Sequence, residues 1–151
     1  MTVISVAVSS DRIIFVEGSF NGDGTVTIVK DETLNLEDGD RHLAYAVMHK
    51  RISDRLSQGA KQIVVKASAG GQYAARTAVL HAAELRGVFL SAVPTGVDVV
   101  QVQKNTVSKN YGSRKVDDYV KDDEFIEGHF KGASLRRGSR ETAVLLLAAG
   151  G

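Results

Sequence analysis

Two sets of residues in this chain carry side chains whose types and spacing could do chemistry, one acidic and one basic. The acids are Asp11, Asp117-Asp118, Asp122-Asp123-Glu124 and Glu141. Carboxylates brought to one point can hold Mg2+ or Mn2+, because hard cations take oxygen ligands. Kept apart, the same residues have ordinary roles. Asp11 would be a turn residue that bonds its own backbone. The acids at 117–124 would form a solvated helix face with Lys115 and Lys121 as local partners. Glu141 would favour a helix N-terminus, and Glu17 would be a solvated strand end.

The basic set points to phosphates. In Lys66-Ala67-Ser68-Ala69-Gly70-Gly71-Gln72 a strand leads through small residues to a helix N-terminus, a common anion-binding geometry. It lacks the Gly-Lys-Ser/Thr ending of a P-loop. Lys66 and Ser68 could hold a phosphate, joined by Arg76 one turn into the helix; the alternative is a plain strand-to-helix connection. Arg136, Arg137 and Arg140 form the tightest basic cluster. With Lys104, Lys109, Arg114 and Lys115 they could clamp a nucleic-acid backbone, and Tyr111 and Tyr119 could stack on bases. Equally, the arginines could pair with the acids at 122–124. His42, His49, His81 and His129 show no metal-ligand spacing, and no serine-histidine-acid pattern stands out.

Composition narrows the setting. The chain of 151 residues is long enough for one well-buried domain over 1–151. There is no cysteine, which excludes disulfides, thiolate metal sites and a thiol nucleophile and fits a cytoplasmic location. No apolar run is long enough to span a membrane, and the first residues lack the basic flank and apolar core of a secretory signal. The net charge is +1, but it is unevenly placed: residues 61–115 hold eight Lys/Arg against two Asp/Glu, a local +6. That favours a surface that meets phosphates.

The elements that must position these residues follow from periodicity. Residues 3–8, 13–16 and 25–29 read as three meandering strands, the last pair joined across Asn21-Gly22-Asp23-Gly24. A helix is expected over 41–58, capped by Asp38 or Asp40 and stopped by Gly59. Its apolar stripe is Tyr45, Met48, Ile52 and Leu56. Residues 63–65 read as a buried strand, 73–86 as an Ala-rich helix ending at Gly87, and 88–93 as a second buried strand closed by Pro94. Residues 98–109 read as helical, 116–130 as a short helical piece, and 140–149 as a dense apolar helix. That last helix also suggests a homodimer, with its apolar surface as the interface.

This order resembles the ribonuclease H-like superfamily, and residues 63–149 resemble its Holliday-junction-resolvase branch. The resemblance rests on strand 63–66, the loop and Ala-rich helix after it, the strand ending at Pro94, the basic glycine-bearing stretch Gly112-Ser113-Arg114-Lys115-Val116, and Arg140-Glu141-Thr142-Ala143-Val144-Leu145-Leu146. It implies an α/β fold with a mixed central sheet, three antiparallel strands then parallel ones, flanked by helices. It also implies carboxylates on the first strand, on the strand after the first helix and near the start of the last helix, holding two divalent metals that activate water. Here those places hold Ser9, Lys66 and Thr142, with Glu141 as the one survivor. The expectation is therefore a nucleic-acid-associated module with a degenerate site, no cofactor, and DNA or RNA as partner, in which Lys66 turns a cation-binding cleft into an anion-binding one. Two alternatives stand beside it. One is an active Mg- or Mn-dependent nuclease with its site drawn from Asp11, Asp117, Asp118 and Glu141. The other is a protein–protein module acting as a homodimer.

Overall fold

A computed structural model describes residues 2–67 and 76–150. Three strands open the chain: β1 (Val3–Val8), β2 (Arg12–Phe20) and β3 (Val26–Asn35). They pair antiparallel in sequence order, as the meander reading expects, and a bulge between Glu17 and Gly18 shifts the β2–β3 register. Next come α1 (Arg41–Leu56), β4 (Gln62–Lys66), α2 (Thr77–Ser91) and β5 (Asp98–Val102). After a 3-10 turn at Lys104–Thr106 the chain forms α3 (Val107–Asn110), α4 (Val116–Lys121), α5 (Asp123–His129) and β6 (Phe130–Gly132). A second 3-10 turn, Arg137–Ser139, leads into α6 (Arg140–Gly150). The sheet order is β5-β4-β1-β2-β3-β6, with β4 parallel to β1, β5 parallel to β4 and β6 parallel to β3.

Side chains alternate across this sheet and supply two cores. Ile4, Val6, Ile13, Phe15, Ile63 and Val65 face α1 and α2, where Met48, Ile52, Leu85 and Phe89 complete one core. Val3, Val16, Val26, Ile28 and Val64 face α6 and the short helices around it. The helix α1 buries Ala44, Met48, Ile52 and Leu56, close to the stripe read from the sequence, while Tyr45 is half-buried. Asp40 sits at its N-cap but makes no side-chain capping bond. Gly59 then turns the chain with a φ of 93°, which an L side chain rarely adopts.

The expected strand over 88–93 is instead the last turn of α2 and the residues just past it, the helix running straight through Gly87 to Ser91. Leu85, Phe89 and Ala92 are buried at helical spacing, and an apolar run alone does not separate a buried strand from a buried helix. Gly87 costs such a helix only about 1 kcal/mol relative to alanine. The strand that follows α2 lies ten residues later, at Asp98–Val102, where a helix is expected from the sequence. Its β-branched valines decide for the extended form. The three-residue β6 has no counterpart in the sequence reading.

The terminal helix corrects a further expectation. Thr142 through Ala148 are buried on every side, between the sheet (β1, β2 and β4) and the helices α3 and α4. A helix that is apolar all round belongs in a core. Its surface is committed within the chain and is not a dimer interface. A Cβ at Gly18 would meet Val26 Cγ1 at 2.6 Å and Leu146 Cδ2 at 3.0 Å, so the bulge in β2 has to be glycine for α6 to seat. Among the described residues no helix is long and apolar enough to cross a membrane.

Two charged tethers fix the layers. Glu17, expected to be solvated, is instead half of a buried pair: Arg55 on α1, 7% exposed, reaches Glu17 Oε2 at 2.5 Å and also bonds Glu32 on β3. Thr2 Oγ1 donates to the other oxygen of Glu17 at 2.5 Å. On the other face, the Asp31 side chain is 4% exposed. It accepts from the Arg136 guanidinium at 2.6 Å, the Arg136 amide at 2.9 Å and Ser139 Oγ at 2.6 Å. Burial opposes ionisation of Asp31, yet these bonds outweigh it and hold the carboxyl below its ordinary 3.8. This tether sets where α6 begins.

Arg55→Ala removes the shared cation of two largely buried carboxylates, leaving Glu17 with Thr2 and Glu32 with Lys30, and should cost about 3 kcal/mol in urea unfolding; a loss below about 1 kcal/mol would show the network to be solvated. Asp31 binds its proton less readily folded than unfolded. Its stabilisation is therefore complete above 3.8 and is lost as pH falls below that value. Asp31→Asn removes this linkage, so between about pH 5 and pH 3 the variant's unfolding free energy should fall less steeply than that of the parent chain. Equal slopes would mean that the Asp31 tether does not report on folding.

Candidate functional site

The end of the sheet where β4 and β5 finish gathers charge from four elements. Lys66 is the last residue of β4 and Lys104 lies in the 3-10 turn just after β5. Asp117 is in the first turn of α4 and Glu141 in the first turn of α6. Parallel β4 and β5 end side by side, Lys66 opposite Val102, which is why two lysines arrive at one place. The buried register of α6 aims Glu141 at them. Lys66 Nζ lies 2.6 Å from Glu141 Oε1. Lys104 Nζ lies 2.7 Å from Asp117 Oδ1 and 3.6 Å from Glu141 Oε2. Two cations and two anions thus close a chain, Lys66–Glu141–Lys104–Asp117, with no net charge.

Electrostatics agrees with the geometry. The Asp117 carboxylate, accepting a hydrogen bond from Lys104, raises the Lys104 amine above its ordinary value; burial works against this and Glu141 adds to it. In return the Lys104 hydrogen bond and charge hold Asp117 below the usual carboxylate range. Both groups are therefore charged at neutral pH. Lys66 is not a free cation in an anion cleft, as the sequence reading expects, but the partner of the very acid that remains at this end of the sheet.

Of the four acids in the nuclease alternative, Asp117 and Glu141 do converge: oxygens of both lie within 4 Å of one point, and that point is Lys104 Nζ. Asp11 lies in the exposed β1–β2 turn, where it accepts from Arg12 at 3.2 Å and Ser9 Oγ at 3.3 Å and shares no ion pair with them. Asp118 is exposed beside Asp117 and takes no part in the ion pairs of this site. Ser9 also belongs to that turn, beyond β1. The residues next along β1 and β4, one step past the Val6–Val65 pair, are Ala7 and Lys66. Thr142 and Ala143 are buried in α6. Two divalent metals need several converging oxygens, whereas this end of the sheet offers two carboxylates already engaged by ammonium groups. Among the described residues no three His, Asp or Glu gather in a way that could hold a metal ion. The donor set does not fit the metal pair that the sequence resemblance implies.

The remaining basic candidates divide into tethers and exposed charges. Arg136 is engaged by Asp31. Arg140, 14% exposed, bonds the Val120 carbonyl at 3.1 Å and Asp123 at 2.7 Å. Arg114 bonds Asp122 at 3.0 Å and the Asp118 carbonyl at 2.9 Å, and its guanidinium lies 4.7 Å from the centre of the Tyr119 ring. Asp117, Asp122 and Asp123 are thus held by Lys104, Arg114 and Arg140 rather than by Lys115 and Lys121. Asp122 also caps α5 by accepting from the Phe125 amide at 3.0 Å. Tyr119 is buried against Phe125, with ring centres 4.5 Å apart, and cannot stack on a base. Tyr111 is half-buried in the same aromatic cluster. Lys109, Lys115 and Arg137 are exposed and form no close ion pair among the described residues. Arg76 is exposed at the N-cap of α2. Ser68 and the loop that was to cradle an anion lie outside the described residues.

The pairing of Lys104 was hidden from sequence reasoning by the misplaced strand. Read as helix, residues 98–109 put Lys104 in mid-helix; as β5 and a turn they deliver it to the end of the sheet beside Lys66.

No family model and no curated protein sequence matches the chain. Solved structures do. Thermus thermophilus RuvC superposes with a TM-score of 0.79 at 13% identity, over 99% of this chain and 93% of that one. T. thermophilus RuvC in complex with Holliday junction substrate gives 0.78 at 12% identity, over 99% and 93%. The yeast mitochondrial Holliday junction resolvase Ydc2 gives 0.70 at 11% identity, over 97% and 76%. At such identities the likeness speaks for the fold alone: this chain has the fold of RuvC and Ydc2, the mixed-sheet α/β architecture expected from the sequence.

Proposed function

We propose that this chain is a nucleic-acid-binding module on a resolvase fold that does not cleave what it binds. The observation that carries the reading is the neutral chain Lys66–Glu141–Lys104–Asp117, in which ammonium groups pair with the carboxylates at the end of the sheet. Support for nucleic acid as the partner comes from the fold, since a structure of the similar RuvC is a complex with Holliday junction substrate. It also comes from the exposed cations on the same side of the molecule. Lys109 is on α3 and Lys115 at the N-cap of α4, both helices packed on α6, and Arg137 lies in the turn that leads into it. Arg76, with Ser68, would extend this surface past Lys66. Arg114, Arg136 and Arg140 contribute by holding α4, β3 and α5 in place, with their outer faces toward a partner.

A second reading draws on the convergence of Asp117 and Glu141: a metal-dependent nuclease in which a substrate phosphate draws the lysines away and lets Mg2+ or Mn2+ in. Labelled four-way junction, duplex and single strand separate the two. Under the binding reading all or some of them bind at low salt, affinity falls steeply as salt rises, and none is cut with Mg2+ or Mn2+. Reversing two contacts, Lys115→Glu with Arg137→Glu, should flatten the log–log salt slope by about 2 for duplex DNA. No binding to any of the three at low salt would refute the proposal. Cleavage that disappears in Glu141→Ala would replace it with the second reading.

A further inference from the structure

We propose that Lys104, seconded by Lys66, is the device that closes this site to divalent cations, and that the carboxylates behind it form a metal site once the lysines are neutral. The inference rests on the non-cleaving reading above, but its test uses metal alone and no nucleic acid. Its basis is the position of one atom. Lys104 Nζ occupies the point shared by Asp117 Oδ1 at 2.7 Å and Glu141 Oε2 at 3.6 Å. Lys66 Nζ takes the second Glu141 oxygen at 2.6 Å. Both oxygens of Glu141 and one of Asp117 therefore face an ammonium group. A hard cation needs those same oxygens at about 2.0 to 2.6 Å. To bind, it would have to displace both ammonium groups from the carboxylates and then remain near two positive charges whose backbones are held at the end of the sheet.

The lysines are anchored from behind. Lys66 ends β4, whose Ile63, Val64 and Val65 are fully buried, and Lys104 follows Val102, which is buried in the core beneath α6. Glu141 and Asp117 are anchored too, by Thr142 onward in α6 and by the buried Val116 in α4. Neutralising the lysines thus leaves two acids on backbone that the core keeps in place. Glutamine suits the purpose, because its amide removes the charge and supplies a further oxygen.

Manganese binding is read by the loss of the free Mn2+ signal in electron paramagnetic resonance, with circular dichroism to confirm the fold. The parent chain should leave the signal unchanged up to roughly 10 mM, an order above the weakest protein sites for hard cations. Lys66→Gln with Lys104→Gln should bind with a dissociation constant of about 1 mM or below, and adding Glu141→Gln should abolish this. Should the double variant not fold, Lys104→Gln alone, which leaves the Lys66–Glu141 pair intact, should bind more weakly but measurably. A folded variant that leaves the signal untouched would overturn the inference. So would a parent chain that binds as tightly as the variant. Failure here with intact salt-dependent DNA binding would leave the binding module standing and remove only the role given to the lysines.

Discussion

Glu141 cannot leave the end of the sheet, and the character of the site follows from that. Seven consecutive residues after it are buried, so neither the rotation nor the position of α6 is adjustable. The glycine bulge in β2 admits Leu146 on one side, and the Asp31–Arg136–Ser139 tether fixes the turn before the helix. A partly exposed carboxylate delivered so firmly needs a counter-ion. In a metal-dependent site that counter-ion is a divalent cation held by several acids. Here the strands on which further acids would stand provide Ala7 and Lys66, and the turn after β5 provides Lys104. The charge balance is met from within the chain.

The same economy governs the basic residues. The local +6 of residues 61–115 suggests a broad phosphate-binding surface, but much of it is neutralised internally. Lys66 and Lys104 hold Glu141 and Asp117, and Arg114 holds Asp122. Beyond that segment, Arg136 and Arg140 hold Asp31 and Asp123. Lys104 and Arg140 tie the short helices α4 and α5 to the turn after β5 and to α6, and Arg136 ties the approach to α6 to β3; hydrophobic contact alone would fix helices of six and seven residues poorly. Such pairs are partly exposed, so each contributes modestly; their effect is in orientation. What remains for a partner is a smaller set led by Lys109, Lys115 and Arg137.

The fold was legible because its strongest signals are periodic. The three-strand start, the stripe on α1 and the all-apolar α6 could each be read from spacing, and the element order they belong to is that of the solved structures on which the chain superposes. The element order survived even though the strand after α2 was placed ten residues early. Val88 to Val93 and Val97 to Val102 are both short valine-bearing runs, told apart by the β-branched alternation of the second and by its pairing with β4. The site was half legible. That Lys66 ends a strand and Glu141 opens the last helix followed from local pattern. The partnerships did not, because Lys66–Glu141, Lys104–Asp117, Arg55–Glu17 and Arg136–Asp31 join residues far apart in sequence. No local pattern marks a long-range ion pair. The solvated reading of Glu17 failed for the same reason: its partner lies one layer away on α1.

Whether an ammonium or a metal occupies the end of the sheet is decided most directly by a crystal of the parent chain grown with Mn2+ and recorded at the manganese absorption edge. The structure requires ordered Lys104 between Asp117 and Glu141 and no anomalous peak among Lys66, Lys104, Asp117 and Glu141. An anomalous peak bonded to Asp117 and Glu141, with the two lysines turned outward, would contradict the account and make this chain a metal-binding resolvase-fold protein after all.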